Sequence, residues 1–254
     1  MECPRGKNRI IVALDVPSLD KAGELVKNLA PHVGLFKVGL ELITAEGAPQ
    51  VVKFIQEKGG KVFYDGKFDD IPNTVGAASK VVSGLGVDMF NVHASCSIDA
   101  MMAAVKNRGQ SQVLAVTVLT SFEENDGNLC FGGPTKAKVL EFARWAKLAG
   151  VQGIICSPQE LSLLKARAEL KGLIFVTPGV RPAGASVGDQ KRVMTPGEAV
   201  KAGVDYLVIG RPITKPEAPI PYPVDAAMLI GIEIEKAEKE MEEEAKKLQE
   251  KNKK

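Results

Sequence analysis

The sequence has 254 residues, of which 45% are hydrophobic and 25% are charged, as in an ordinary globular protein. Lys and Arg total 33 and Asp and Glu total 31, so the formal net charge is only +2. Aromatic residues are 5% and no basic tract stands out, which argues against a nucleic-acid surface. No run reaches the roughly 18 apolar residues of a membrane span, and residues 1–9 lack the apolar stretch of a signal peptide. We therefore expect a cytoplasmic protein that binds neither nucleic acid nor membrane.

The cysteines and histidines do not indicate a metal centre. The two histidines, His32 and His93, are too far apart to form a metal-binding pair on one helix. No two cysteines have the close spacing of a zinc knuckle or a redox dithiol. We expect free thiols in a reducing compartment and no bound metal. The four cysteines are Cys3, Cys96, Cys130 and Cys156.

Short β-rich runs alternate with longer amphipathic stretches along the whole chain. The strands are almost continuously apolar, as expected when helices cover a parallel sheet. Eight strand–helix units in about 250 residues predict an α/β fold, a single-domain (β/α)8 TIM barrel. An open doubly wound sheet is the alternative, weakened because no Gly-x-Gly-x-x-Gly follows the first strand. The predicted strands are 9–16, 34–40, 61–67, 88–94, 111–119, 153–157, 173–179 and 205–210. A helix is predicted to begin at Ser18, a second to include Phe54, and another to follow the fourth strand. The last helix begins near Asp225. The remaining predicted helices are at about 73–83, 135–149, 159–169 and 196–202.

Two segments depart from this repeat. Residues 177–195 form a long loop rich in Gly, Pro and Ala, and loops of this length are usually functional or disordered. The chain from about residue 232 is almost wholly charged and contains helical i,i+4 pairs such as Glu235–Lys239. We therefore divide the chain into a barrel domain, 1–231, and a charged helical tail, 232–254, which we expect to be a solvated extension.

Charged side chains follow the predicted strands, at the end of the barrel where catalytic groups lie. Asp65 and Lys67 end the third strand, and side chains two apart on a strand share a face, so both are predicted to point into the barrel mouth. Lys37 lies among apolar residues of the second strand and needs an acidic partner, because a buried unpaired ammonium is costly. The other polar residues at strand ends are Asp15, Asn91, His93, Thr120 and Ser121, and Asp70 follows in the turn after Lys67.

Structural alternatives exist for these charges. Asp15 could cap the helix that follows it, and Lys37 and Asp65 could form a purely structural ion pair. His93 is interpreted as a core or supporting residue.

The eighth strand ends in Gly210 and Arg211, and barrels commonly hold phosphate in the loops after strands seven and eight. Backbone N–H groups near Gly210 and the guanidinium of Arg211 would suit a phosphate dianion. The long loop is then a predicted lid, from which Arg181 and Gln190 reach the ligand. Its hinges would be Gly179, Gly184 and Gly188. The alternative is a surface arginine beside a turn proline.

The segment "DGKFDDIPNT" (65–74) resembles the Asp-x-Lys-x-x-Asp-Ile-Pro-Asn-Thr signature of the orotidine 5′-phosphate decarboxylase family. The runs "ALDV", "FKVGLEL", "TVLTS", "TPGVRPAG" and "YLVIGRPI" resemble the family in the same order, over about residues 9–230. Sugar-phosphate decarboxylases and synthases share the Asp-x-Lys-x-x-Asp part, whereas the Ile-Pro-Asn-Thr continuation and the lid are specific. Asp69 departs from the family pattern, since many relatives have His there.

The resemblance implies a homodimeric barrel that converts orotidine 5′-monophosphate to UMP and carbon dioxide, the last step of de novo UMP synthesis, without metal or organic cofactor. Lys67 would be the proton donor in a charged network with Lys37, Asp65 and Asp70. Asp70, Ile71 and Thr74 would enter the partner subunit's site.

The resemblance also implies where the nucleotide binds. Asp15 and Lys37 would hold the ribose hydroxyls, and Thr120 or the adjacent Ser121 would contact the pyrimidine. The phosphate would be held by Arg181, Gln190, Gly210 and Arg211.

Two other functions remain open on the sequence. One is a sister enzyme that acts on a pentulose or hexulose 6-phosphate with Mg²⁺. The other is a nucleotide-binding barrel without catalysis, against which the intact Lys37–Asp65–Lys67–Asp70 set argues.

Overall fold

Eight parallel strands close into a barrel in the computed structural model, which describes residues 4–182 and 194–251. Each strand pairs with the next along the chain, and the eighth pairs with the first. The predicted order of eight strands is confirmed, and the open-sheet alternative is wrong. The strands are β1 Ile10–Ala13, β2 Leu35–Val38, β3 Val62–Phe68, β4 Met89–His93, β5 Gln112–Val116, β6 Gly153–Ile155, β7 Ile174–Pro178 and β8 Tyr206–Ile209.

Helices connect successive strands and form the outer layer. They are α1 Leu19–Leu29, α2 Leu40–Glu46, α3 Ala48–Glu57, α4 Pro72–Gly84, α5 Ile98–Lys106, α6 Glu124–Phe131, α7 Thr135–Ala149, α8 Leu161–Lys165, α9 Pro196–Lys201, α10 Arg211–Thr214 and α11 Pro223–Lys251. The helix predicted at 159–169 is shorter than expected. The backbone is extended at Arg167, so α8 is followed by a separate 3₁₀ turn, Ala168–Leu170.

Apolar residues fill both sides of the sheet, which explains the continuous hydrophobic runs. Ile10 and Val12 of β1 pack against the helices, whereas Ile11 and Ala13 point into the barrel. The interior is closed by side chains such as Phe63, which is 1% exposed. Burying a large apolar side chain contributes about 1.5–3 kcal/mol, so the strands are held from both faces. The charged residues of the second and third strands, Lys37, Asp65 and Lys67, come late in those strands, where the barrel opens.

The final helix α11 runs without a break across residue 232. Ile234 and Ala237 are buried beyond that position, and Glu238 Oε1 lies 2.6 Å from Arg9 Nε. Residues 241–251 are all exposed. The predicted pair Glu235–Lys239 is present, with 3.0 Å between the carboxylate and the ammonium.

The two ends of the long loop lie side by side, because the Arg181 N–H donates to the Met194 carbonyl at 3.0 Å. Gln190, Gly184 and Gly188, predicted to belong to a lid, lie outside the described residues, as does Cys3. Cys96, Cys130 and Cys156 are free thiols, as predicted. Within residues 4–182 and 194–251, no helix combines the length and apolarity that crossing a bilayer requires.

Candidate active site

The end of β3 is distorted by a bulge. Tyr64 pairs with Phe90 of β4 and Phe68 pairs with Val92, so the three intervening residues of β3 stand opposite Asn91 alone. Lys67 within the bulge has φ 48°, in the left-handed region that non-glycine residues seldom adopt. The prediction that Asp65 and Lys67 lie together is therefore confirmed, but a bulge and not a regular strand brings them together.

Four charged side chains meet at the mouth of the barrel. Asp65 Oδ1 lies 2.7 Å from Lys67 Nζ, and Asp65 Oδ2 lies 3.1 Å from Lys37 Nζ. Lys37 Nζ also lies 3.1 Å from Asp15 Oδ1. Lys37 thus has the acidic partner that its apolar surroundings require, and Asp65 lies between two ammonium groups.

Asp65 and Lys37 are held in their charged forms. Burial raises the pKa of Asp65, but the ammonium groups of Lys37 and Lys67 outweigh burial and hold it below its ordinary value. Burial lowers the pKa of Lys37, but Asp65 and Asp15 outweigh burial and hold it above its ordinary value. A carboxylate only 7% exposed therefore remains ionised beside two cations.

Asn91 also belongs to the site, although its predicted position at a strand end had suggested no role for it. Its Nδ2 donates to Asp65 Oδ1 at 2.6 Å, and its Oδ1 accepts from the Lys67 backbone N–H at 2.8 Å. The signal was present in "DMFNVHA", where an amide interrupts an apolar strand. A buried amide needs partners, so this pattern indicated that Asn91 makes polar contacts but not with which residues.

A cavity of about 460 Å³ opens at the C-terminal ends of the strands. It extends from the charged group formed by Lys37, Asp65 and Lys67 to the end of β8. Eight predicted site residues line it: Asp15, Lys37, Asp65, Lys67, Thr120, Arg181, Gly210 and Arg211. Residues without a predicted role also line it, among them Phe63, Pro178, Thr214 and Lys215.

Two guanidinium groups occupy the side of the cavity next to β7 and β8. Arg181 is 8% exposed, and its Nη1 donates to the Val180 carbonyl at 2.9 Å. Burial, and then the positive charge of Arg211, lower the pKa of Arg181. Two neighbouring cations in a cavity favour an anion of high charge density between them, and guanidinium groups bind phosphate oxygens well.

Other predicted residues lie apart from the cavity. Asp70, Ile71 and Thr74 are exposed at the start of α4, where Asp70 Oδ1 accepts from the Ile71 N–H at 2.7 Å. Ser121 is exposed and does not line the cavity, unlike Thr120. Gln190 is outside the described residues.

His93 is the last residue of β4 and lies near the charged group at the end of β3. His93 is partly buried, and burial lowers its pKa, which favours the neutral imidazole. Among the residues that the structure describes, no three His, Cys, Asp or Glu side chains are grouped to hold a metal ion.

Comparison with known proteins gives a consistent result. The model of the "Orotidine 5′-phosphate decarboxylase / HUMPS family" matches residues 8–221. Orotidine 5′-phosphate decarboxylase of Moorella thermoacetica is 47% identical over 241 residues, 90% of this chain and 93% of that protein. The protein of that name from Geotalea daltonii is 47% identical over 234 residues, 89% of this chain and 95% of that protein.

Solved structures agree with the sequence matches. The crystal structure of orotidine 5′-phosphate decarboxylase from Lactobacillus acidophilus superimposes with a TM-score of 0.76 at 32% identity, covering 89% of this chain and 98% of that chain. The enzyme from Pyrococcus horikoshii gives 0.70 at 28% identity, covering 89% and 98%. The chain therefore belongs to the orotidine 5′-phosphate decarboxylase / HUMPS family.

Proposed function

We propose that this protein decarboxylates orotidine 5′-monophosphate to UMP and carbon dioxide, the last step of de novo UMP synthesis, in the cytoplasm. The observation that carries the proposal is the Lys37–Asp65–Lys67 charge group in a cavity that Arg181 and Arg211 also line. The relatives at 44–47% identity that are named for this activity support it.

The cavity suggests how the nucleotide binds. The phosphate would lie against Arg181, Gly210 and Arg211, with Gln190 added from the lid. The ribose hydroxyls would meet Asp15 and Lys37, which are already paired at 3.1 Å. Thr120 is the better placed of the two candidates for the pyrimidine edge, because it lines the cavity and Ser121 does not. The reacting carbon would then face Lys67.

The reaction needs electrostatic stabilisation above all. Breaking the bond to the carboxylate leaves an electron pair on a ring carbon, in the ring plane, where the π system delocalises it poorly. A fixed ammonium beside that carbon stabilises the developing charge and then donates the proton that replaces carbon dioxide. Lys67 is proposed as this group, and Asp65, 2.7 Å away, orients it.

Asp65 has a second proposed role. The ionised Asp65 carboxylate would lie close to the substrate carboxylate, and the repulsion between them would be relieved as carbon dioxide leaves. The phosphate is remote from the ring, but its binding energy can close the lid and assemble the site.

We further propose that the enzyme is a homodimer in which Asp70, Ile71 and Thr74 enter the partner's site. Exposed apolar side chains at both ends of α4 support the proposal, because Ile71, directly before the helix, and Val81, near its C-terminal end, are each 66% exposed. A second copy packed on α4 would bury them. Asp70 would then complete the charged network across the interface.

The deciding experiment is turnover of orotidine 5′-monophosphate, followed by loss of the orotate absorbance, with and without excess EDTA. We expect EDTA-resistant turnover that Lys67→Ala lowers by at least about 10⁴-fold, because both the cation and the proton donor are lost. Lys53→Ala is the matched control, since Lys53 is exposed on the outer face of α3 and 3.8 Å from Glu57. Turnover of a sugar phosphate that needs Mg²⁺, or UMP binding without turnover, would contradict the proposal.

A further inference from the structure

Asn91 is a fully buried polar residue in the middle of an apolar strand. Its neighbours Phe90 and Val92 pack into the layer between the sheet and the helices. Side chains alternate along a strand, so Asn91 points the opposite way, into the barrel. It is 0% exposed, and it is not among the residues that line the cavity.

The carboxamide of Asn91 joins two parts of the site at once. The bulge takes the Lys67 N–H out of the regular ladder with β4, and Asn91 Oδ1 accepts that N–H at 2.8 Å. Asn91 Nδ2 donates at 2.6 Å to Asp65 Oδ1, the same oxygen that contacts Lys67 Nζ. One side chain therefore holds the backbone of Lys67 and the carboxylate that orients its ammonium group.

The left-handed backbone at Lys67 makes this support necessary. A φ of 48° is unfavourable for lysine and persists only where surrounding contacts hold it. If the Asn91 contact were lost, Lys67 could relax towards regular strand geometry, and its ammonium group would move relative to Asp65.

From this geometry we propose that Asn91 is a positioning residue for the decarboxylation, which fixes the bulge that aims Lys67 at the reacting carbon. The inference rests on the proposed function. Asn91 acts through Lys67 and Asp65, whereas the ribose and phosphate contacts come from other elements. Its loss should therefore lower kcat much more than it changes KM.

Asn91→Ala tests this directly. We expect kcat for orotidine 5′-monophosphate to fall by about 10²-fold, the effect of a misplacement of roughly 1 Å, with KM changed by less than about threefold. The matched control is Asp88→Ala. Asp88 Oδ2 accepts from the Val62 N–H at 2.9 Å, so it joins the same two strands at the opposite end. Asp88→Ala should lower stability without lowering kcat.

Asn91→Asp gives a second readout, the pH dependence of kcat. Its side chain has the same shape as that of Asn91 and fills the buried position, so this variant can be measured even if Asn91→Ala does not fold. The charged groups facing it are Asp65 and Lys67 on β3, with Lys37 behind Asp65 and His93 on the same strand. Two carboxylates in contact hold a proton to higher pH than either would alone. The protonated form can donate to Asp65 as the amide does, so kcat of this variant should be highest at low pH and fall as the proton leaves.

The parent enzyme, which also contains His93, provides the reference pH profile. A kcat of Asn91→Ala within threefold of the parent value would overturn the inference, whatever the loss of stability. A pH profile of Asn91→Asp identical to that of the parent would do so as well. If the parent itself gives no turnover, the proposed function fails instead, and the two failures are distinct.

Discussion

Asp65 determines the electrostatics of the cavity because its two oxygens are shared among three donors. One oxygen contacts Lys67 and Asn91, and the other contacts Lys37. Removing the carboxylate would leave the two ammonium groups facing each other in a partly buried site, where uncompensated charge is costly. The group is therefore best understood as one unit with an internal charge balance.

The stability contributed by ionised Asp65 should depend on pH in a defined direction. Its pKa in the folded protein is below the ordinary value of 3.8, so protonation is harder in the folded state than in the unfolded state. The contribution is complete above pH 3.8 and is lost as the pH falls through the folded-state pKa. Urea unfolding of the parent and of Asp65→Asn between pH 7 and 2.5 measures this contribution to the free energy of unfolding. We expect the parent to lose stability relative to the variant only in the acid range, and a pH-independent difference would contradict this.

The charged residues of the site were predictable from the sequence, but the hydrogen bonds of Asn91 that hold them in place were not. Lys37 was predictable because an ammonium group in an apolar strand must have a partner. The left-handed conformation of Lys67 was not predictable, because it depends on Asn91, which lies 24 residues away in the sequence. A contact of this kind follows from strand pairing, and local patterns do not contain it.

At the scale of single elements, the residue that follows β2 determines how much space the Lys37 ammonium group has. Gly39 follows β2, and a Cβ at this position would lie 2.9 Å from Lys37 Nζ and 3.3 Å from Asp15 Oδ1. Its φ of −102° is open to any residue, so only space requires glycine here. The atom that would be displaced is the mobile end of Lys37.

Gly39→Ala should therefore disturb the site without disturbing the fold. We expect catalytic efficiency to fall by roughly 10–10²-fold, because the Lys37 ammonium must move. The free energy of unfolding should change by less than about 1 kcal/mol. Steady-state kinetics and urea unfolding measure the two effects. Gly84→Ala is the control, since an added Cβ there meets nothing within 4 Å. Unchanged kinetics in Gly39→Ala would show that the space beside Lys37 is not limiting.

The strands were predicted correctly because each is a continuous apolar run between polar segments. The short helices α2, α6 and α10 were missed. These helices have seven, eight and four residues, little more than two turns at most, and are too short to show a clear period of 3.6. Their position depends on the strands and helices that they connect.

At the scale of the whole molecule, the proposed dimer predicts that two inactive variants can restore activity together. If Asp70 acts across the interface, each site combines Lys67 of one chain with Asp70 of the other chain. A mixed dimer of a Lys67→Ala chain and an Asp70→Ala chain would then have both changes in one site and neither change in the other site. Random mixing should recover about a quarter of the parent activity. Activity is measured before and after subunit exchange. No recovery, with exchange demonstrated by sedimentation of differently labelled chains, would place Asp70 in its own chain's site.

The charge pattern alone placed the end of the barrel domain at residue 231, and this boundary stays a prediction. Past it, α11 still packs on the barrel, through buried Ile234 and Ala237 and through Glu238, 2.6 Å from Arg9. The apolar pattern of Ile234 and Ala237 was not recognised in the sequence, because only these two positions are buried among many charged neighbours. Residues 241–251, by contrast, are all exposed.

Two shortened chains distinguish the charge-based boundary from the packing-based one. Ending the chain at 231 removes Ile234, whose burial contributes about 1.5–3 kcal/mol, so the free energy of unfolding should fall by at least about 2 kcal/mol. Ending it at 241 removes 242–251, which are all exposed, together with 252–254, and should change stability by less than about 0.5 kcal/mol. Urea unfolding of both chains beside the full-length protein gives the answer. Equal stability of all three would mean that the barrel is complete at 231 and that the packing of Ile234 adds nothing to it.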